Sequence, residues 1–128
     1  MKPLDTVSVL IPPKAEYVSI ARLTASGIAS RMGFDIDEIE DIKVSISEVI
    51  NRMIDKGIPS DGINIDFHLF SDYIRIDFRL SGSSPRDTFE GEEDGFAFEI
   101  IRALMDEVIL NTNDQVQLSM TKKLERAV

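Results

Sequence analysis

The chain has 128 residues, 43% of them apolar and 29% charged, a balance typical of one globular domain with a buried core. Cysteine is absent and the single histidine, His68, is expected on a sheet face, so disulfides and thiolate or histidine-rich metal sites are excluded. The net charge of -9 disfavours direct binding to nucleic acid, because the chain would repel phosphates. No apolar run approaches the ~20 residues of a membrane span, and residues 1–5 lack a signal sequence. We therefore expect a cytoplasmic protein that binds no membrane.

Apolar periodicity predicts the elements of the first half of the chain. Alternation over residues 6–11 predicts a strand. Helical spacing then predicts a first helix over 14–32 that Gly33 ends, and a second helix that starts near Asp35 or Asp37. The apolar residues expected to face the core are Val18, Ala21, Ala25, Ile28 and Met32 on the first helix, and Ile39, Ile42, Ile46, Val49 and Met53 on the second.

The second half of the chain predicts two hairpins around a third helix. Strict alternation over 63–70 and 73–80 predicts a hairpin with a tight turn. The remaining predicted elements are a loop over 81–91, a third helix over about 94–106 with Phe96, Ile100 or Ile101, and Leu104 inward, and strands over 108–110 and 116–124 around a polar turn at 111–114. The order βααββαββ favours an α+β fold over residues 1–128. We expect a single domain, a two-layer α/β sandwich whose mixed, mostly antiparallel sheet has its helices on one face.

The first helix carries a second apolar flank, about 100° away from its core stripe. Its members are Tyr17, Ile20, Leu23 and Gly27. Two interpretations stay open. The flank either widens the core-facing side of the helix, or it forms a contact surface for another protein, where Gly27 lets a backbone approach closely.

Short runs along the chain carry a resemblance to a known family. They are, in order, Glu16-Tyr17-Val18, Arg22-Leu23-Thr24, Ser26-Gly27, Ala29-Ser30-Arg31-Met32-Gly33, Asp37-Glu38-Ile39-Glu40-Asp41-Ile42-Lys43, Ser47-Glu48, Leu104-Met105-Asp106-Glu107-Val108 and Met120-Thr121-Lys122. Over about residues 8–124 the sequence resembles the bacterial anti-sigma factor serine kinases, which belong to the GHKL superfamily of ATP-binding domains. The resemblance implies the GHKL (Bergerat) fold, in agreement with the predicted order of elements.

The resemblance also implies an activity and partners. In that family a dimeric kinase sequesters a sigma factor. It phosphorylates a serine or threonine of a STAS-type antagonist, the anti-anti-sigma factor, using ATP and Mg²⁺. The resemblance therefore implies these two kinds of protein partner, a homodimer, and an ATP cleft that depends on four features.

The first feature is a glutamate on the second helix, followed four residues later by an asparagine that holds Mg²⁺. Glu48 matches the glutamate, the family's catalytic base, but Arg52 stands at the position of the asparagine. Arg52 is a permanent cation that cannot ligate a metal. Asn51 lies one residue early and would become a ligand only if a rare π-bulge shifted the helix register. We therefore expect no metal site.

The second and third features bind adenine and the phosphates. Leu80 stands where the family has an aspartate that accepts a hydrogen bond from adenine, while Gly82 matches the glycine two residues later. In the Gly-rich turn that opens the third helix, Gly95 matches but Ala97 replaces the second glycine. The acidic residues just before this turn would cap the helix and repel a triphosphate; they are Glu90, Glu92, Glu93 and Asp94.

The fourth feature is a long mobile lid that closes over ATP. Only residues 83–94 separate Gly82 from Gly95, which predicts a truncated lid. Gln117 also replaces the threonine that lines the adenine site in the family. Together these departures predict a degenerate nucleotide site and no cofactor.

The first helix retains the partner-binding half of the resemblance. In the family a basic residue there contacts the sigma factor and the antagonist, and Arg22 matches it; alternatively, Arg22 extends along the apolar flank with its charge in water. The leading hypothesis is a dimeric binding protein, not an enzyme, that acts through the first helix around Arg22. Two alternatives stay open. One is an active serine-protein kinase and anti-sigma factor that uses ATP and Mg²⁺, with Glu48 as base; the other is a decoy that forms mixed dimers with an active paralogue.

Overall fold

The structure is a computed structural model that describes residues 2–57, 60–82, 89, 92–110 and 116–125, with residues 92 and 93 described by their backbone only. Its elements are, in chain order, β1 Asp5–Ile11, a short 3-10 helix Ala15–Tyr17, α1 Val18–Met32, α2 Ile36–Asp55, β2 Gly62–Leu69, β3 Tyr73–Ser81, α3 Glu92–Leu104, β4 Glu107–Leu110 and β5 Leu118–Lys123. The predicted order βααββαββ is confirmed, and the 3-10 helix occupies the predicted beginning of the first helix.

The strands form one five-stranded sheet in the order β1-β2-β3-β5-β4. Every neighbouring pair of these described strands is antiparallel, so the sheet is not mixed. The β2–β3 hairpin places Phe67 opposite Ile76, the register that its alternating apolar residues require.

The three helices cover one face of this sheet. On β3, Ile74, Ile76 and Phe78 are fully buried, while the residues between them are half-buried. Successive side chains of a strand point to opposite faces, so the buried set marks the face under the helices. The helical residues that fill the same core are Ala21, Ala25, Ile28 and Ala29 on α1, and Ile42, Ile46, Val49, Ile50 and Met53 on α2. The predicted α+β sandwich of two layers is confirmed.

The other face of the sheet is polar, and its side chains pair with one another. His68 on β2 lies 3.1 Å from the Thr6 hydroxyl through Nδ1 and 3.2 Å from the Asp77 carboxylate through Nε2. The Ser119 hydroxyl donates to the same carboxylate at 2.6 Å. His68 is thus a sheet-face residue, as predicted.

Local chemistry fixes the junction between α1 and α2. Gly33 has a φ of 101°, the left-handed conformation that closes a helix and that glycine adopts without strain. Asp35 then caps α2, because its carboxylate accepts the Glu38 N–H at 2.8 Å and the Glu38 carboxylate accepts the Asp35 N–H at 3.0 Å. Asp35, and not Asp37, therefore begins the second helix.

The predicted inward side of the third helix is wrong at Phe96, which is 72% exposed. The buried side runs instead through Asp94, Ala97, Phe98, Ile101 and Met105. These positions repeat every three to four residues, and Phe96 falls between them. The apolar pattern does not predict this buried side because one of its members, Asp94, is charged.

Some predictions fall outside the described residues. They are the polar turn at 111–114 and, apart from residues 81, 82 and 89, the loop over 81–91, in which we predict a truncated lid. Among the helices described here, none has both the length and the apolar character that crossing a membrane requires.

Candidate functional site

The second helix carries three charged residues along one side. Glu48, Arg52 and Lys56 follow one another at intervals of four residues, and Lys56 caps the carboxyl end of α2. The helix runs from Ile36 to Asp55 as regular α-helix, without a π-bulge, and Asn51 is exposed. The register shift that would make Asn51 a metal ligand is therefore not observed.

Arg52 and Lys56 hold a buried carboxylate, that of Asp94 in the first turn of α3. The Arg52 guanidinium donates to Asp94 Oδ1 from Nε at 3.3 Å and from Nη2 at 3.2 Å. Lys56 Nζ lies 2.5 Å from Oδ2 as an ion pair, although Oδ2 receives no hydrogen bond of good geometry from a described group. Asp94 is 1% exposed. We name these three residues the α2–α3 charge cluster.

Each charge of the cluster lies at the helix end that stabilises it. Arg52 and Lys56 are at the carboxyl end of α2, where the helix dipole favours cations, and Asp94 is at the amino end of α3, where it favours anions. Burying a carboxylate alone would cost several kcal/mol, so Asp94 depends on its two partners. Asp55, 3.6 Å from Arg52 Nη1, adds a second carboxylate beside the same guanidinium.

The charge cluster does not fit Mg²⁺. This ion requires oxygen ligands in octahedral geometry, and Arg52, at the position of the family's asparagine, offers only N–H donors and a positive charge. Within residues 2–57, 60–82, 94–110 and 116–125, no three histidine, aspartate or glutamate side chains come together as a metal site.

Leu80, at the position of the family's adenine-binding aspartate, makes its contacts within the protein. The Leu80 side chain is buried in the core, and its backbone N–H donates to Gln117 Oε1 at 2.8 Å. Gln117 is 1% exposed, and its own N–H donates to the Phe78 carbonyl at 2.9 Å. Gln117 therefore extends the pairing of β3 with β5, and the Leu80 side chain offers no acceptor for an adenine amino group.

The two glycines that match the family's motifs differ in their surroundings. Gly82 follows β3 with a φ of 73°, and a Cβ added there would lie 2.5 Å from the Asp61 carboxylate, which covers this turn. Gly95 is exposed, and a Cβ there would meet nothing within 4 Å. Ala97, at the second glycine of the motif, is buried. The first turns of α3 thus contain no close approach that requires glycine.

An aromatic pair anchors the connection that leads from β3 to α3. Phe89 is buried and meets Phe98 edge to face, with ring centroids 5.3 Å apart. Both rings belong to the main core. The place where the family has its lid therefore contributes a side chain to the core at residue 89.

The apolar flank of α1 divides between core and surface. Tyr17 is half-buried and packs against the core. Ile20, Leu23 and Gly27 are exposed, Leu23 at 71%, and a Cβ added at Gly27 would meet nothing within 4 Å. Three of the four residues of this flank are therefore exposed.

Arg22 reaches from α1 to α2. Its Nη1 donates to the Ser47 hydroxyl at 3.0 Å, and that hydroxyl donates to the Lys43 carbonyl at 3.1 Å. Ser47 precedes Glu48, which is half-buried. The guanidinium of Arg22 is thus fixed beside the turn of α2 that carries the glutamate of the family's motif.

Comparison with known proteins covers most of the chain. Residues 11–122 match the family described as the histidine kinase-like ATPase domain. The chain belongs to this family. It is also similar to three proteins named serine-protein kinase RsbW, and it is 36% identical to that of Oceanobacillus iheyensis, over 95% of this chain and 89% of the relative. Identity is 35% with that of Halalkalibacterium halodurans (95% and 85%) and 33% with that of Listeria innocua (92% and 87%). The resemblance to the serine-kinase branch of the GHKL superfamily is confirmed.

Three residues of this histidine kinase-like ATPase domain make contacts that the sequence does not predict. Lys56 and Ser47 are not predicted as site residues, and Asp94 is predicted to cap α3 and to repel a triphosphate but not to pair with α2. The spacing of four residues between Arg52 and Lys56 could have indicated two cations on one side of a helix. No local signal indicates that Asp94, 42 residues away along the chain, meets Arg52.

Proposed function

We propose that this protein is a regulatory binding protein of the anti-sigma type that acts without a nucleotide. It binds a sigma factor, a STAS-type anti-anti-sigma factor, or both, by direct contact through α1 around Arg22. It acts as a cytoplasmic homodimer and takes neither ATP nor Mg²⁺ as a cofactor. The observation that carries this proposal is the α2–α3 charge cluster.

The charge cluster supports the loss of nucleotide binding through its electrostatics. Arg52 puts a cation at the motif position where the family binds its metal, and Asp94 puts a carboxylate at the amino end of α3, where the family binds phosphates. Arg52 offers no lone pair to a metal ion, and Asp94 already occupies Arg52 and Lys56, so these cations are engaged before any phosphate arrives. The Leu80 side chain also lacks a hydrogen-bond acceptor, so the amino group of a bound adenine would be buried without a partner at a cost of about 1–3 kcal/mol.

The relatives and the surface of α1 support protein partners. A serine-protein kinase, as the relatives are named, acts on a protein, and this chain is alignable with them over most of its length. Ile20 and Leu23 are exposed on α1, and Arg22 of the same helix is held by the Ser47 hydroxyl. Protein interfaces are enriched in arginine, and exposed apolar area gains free energy when a partner covers it.

Calorimetric titration with ATP and Mg²⁺ tests the proposal. We expect no heat beyond dilution for the purified protein, because the cleft offers neither a metal ligand nor an acceptor for adenine. The serine-protein kinase RsbW of Oceanobacillus iheyensis, titrated under the same conditions, serves as the positive control. Micromolar binding of Mg²⁺–ATP to the protein itself would overturn the proposal.

A second candidate function is an active serine-protein kinase, favoured by Glu48 at the family's catalytic position and by the names of the relatives. Incubation with labelled ATP and a STAS-type protein separates the two functions. Transfer of label that the Glu48→Gln variant abolishes would establish the kinase, whereas no transfer agrees with the binding protein.

A further inference from the structure

Where α3 meets α2, the two oxygens of one carboxylate contact two different cations. Oδ1 of Asp94 accepts hydrogen bonds from the Arg52 guanidinium, and Oδ2 forms an ion pair with the Lys56 ammonium. Both cations come from the end of α2, and Asp94 comes from the start of α3. The arrangement is that of a small oxyanion bound between an arginine and a lysine, except that the anion is part of the chain.

We propose that Asp94 serves as a built-in anion, which neutralises Arg52 and Lys56 in place of a phosphate-type ligand and so fastens the first turn of α3 to the end of α2 in the ligand-free protein. This inference rests on the proposed function, because it requires that no nucleotide occupies the cleft. The position of α3 is then a fixed property of the chain and not a response to a ligand.

Burial makes the contact strong enough for this role. Asp94 is 1% exposed and the Lys56 side chain 11%, so water and salt screen their attraction much less than that of a surface pair. Asp55 provides a comparison within the same site, because it contacts the same guanidinium at 3.6 Å but is 64% exposed. Asp55 also belongs to α2 itself, so it cannot hold α3.

Hydrogen exchange of the backbone amides, with a small carboxylate as replacement ligand, tests the inference. The variant Asp94→Ala removes the anion and leaves space for formate. We expect amide exchange in α3 to become about tenfold faster or more, while exchange in β2 and β3 changes little, because the loss is local. Added formate restores part of the protection of α3, and chloride at equal ionic strength does not.

Two further variants serve as controls. Asp55→Ala removes a carboxylate from the same guanidinium and leaves the exchange of α3 unchanged. Asp94→Asn keeps the shape of the side chain but not its charge, so α3 exchanges faster and formate gives no recovery, since the space is filled. If Asp94→Ala fails to fold, Asp94→Asn alone tests the loss of protection, with the same comparison of α3 against β2 and β3.

Three outcomes contradict the inference: wild-type protection of α3 in Asp94→Ala, an equal acceleration over the whole chain, or a local acceleration that formate leaves untouched. These results would not refute the proposed function, because Arg52 would still offer no metal ligand and Leu80 no acceptor for adenine. Conversely, binding of Mg²⁺–ATP to the wild-type protein refutes the proposed function by calorimetry, independently of the exchange data.

Discussion

The buried side-chain amide of Gln117 accepts a hydrogen bond from the backbone N–H of Leu80. Leu80 matches the position at which the family binds adenine. A buried polar atom without a hydrogen-bond partner lowers the stability of the folded state. The Gln117 side chain provides such a partner for the buried Leu80 N–H. Asp94 follows the same rule with charges in place of neutral groups. At the scale of residues, then, Gln117 and Asp94 each contact other groups of the protein at positions that match the family's nucleotide site.

The variant Gln117→Met tests this contact. Methionine has a similar length but no acceptor of comparable strength, so the Leu80 N–H loses its partner and the free energy of unfolding falls by about 1–3 kcal/mol. Urea unfolding measures the change. The control is Asn51→Ala, which removes an exposed amide and shifts stability by at most about 0.5 kcal/mol. Equal stability of the two variants would show that the Gln117 amide contributes nothing.

At the scale of elements, the ends of helices determine how the site is assembled. The capping box at Asp35 begins α2, a helix of 20 residues. Arg52 and Lys56 lie at its other end, beside α3. The left-handed Gly33 supplies the turn that lets α2 begin immediately after α1.

The variant Asp35→Ala measures the value of this start. It removes the carboxylate that accepts the Glu38 N–H, so we expect a loss of about 0.5–2 kcal/mol in the free energy of unfolding by urea. The variant Asp37→Ala, in the same first turn, loses only a favourable charge near the helix start, about 0.3–1 kcal/mol. A loss for Asp37→Ala that equals or exceeds that for Asp35→Ala contradicts the capping role.

At the scale of the whole molecule, apolar side chains are exposed both on the open face of the sheet, at Leu10 and Ile109, and on α1. On the open face of the sheet, charged groups pair across strands, as Arg79 does with Asp66 at 2.9 Å. On α1, Ile20 and Leu23 are exposed, and Arg22 of the same helix is held by Ser47. An apolar patch gains free energy from being covered, so α1 is the surface on which we expect a partner.

The variant Arg22→Glu tests the partner surface. Reversing this charge is expected to reduce capture of a sigma factor or a STAS-type protein from the same cells by about tenfold or more, or ~1.4 kcal/mol. Capture by the wild-type protein should be the same with ATP, ADP or no nucleotide. Arg102→Glu makes the same change on an exposed residue of α3 and should capture as the wild type does. Equal recovery by Arg22→Glu and Arg102→Glu removes Arg22 from the proposed surface, provided that both variants unfold at the wild-type temperature.

The sequence by itself determined the order of elements, the core stripes of α1 and α2, the β2–β3 register and the start of α2 near Asp35 or Asp37. These features depend on residues within a few positions of one another, where periodicity and capping act. Only the tertiary structure decided that Asp94 meets Arg52 and Lys56, that Gln117 serves Leu80, and that Phe96 faces water. Those pairs lie 37 or more residues apart, and the rotation of α3 depends on a buried charge. The geometry of element packing, which no local pattern encodes, sets such contacts.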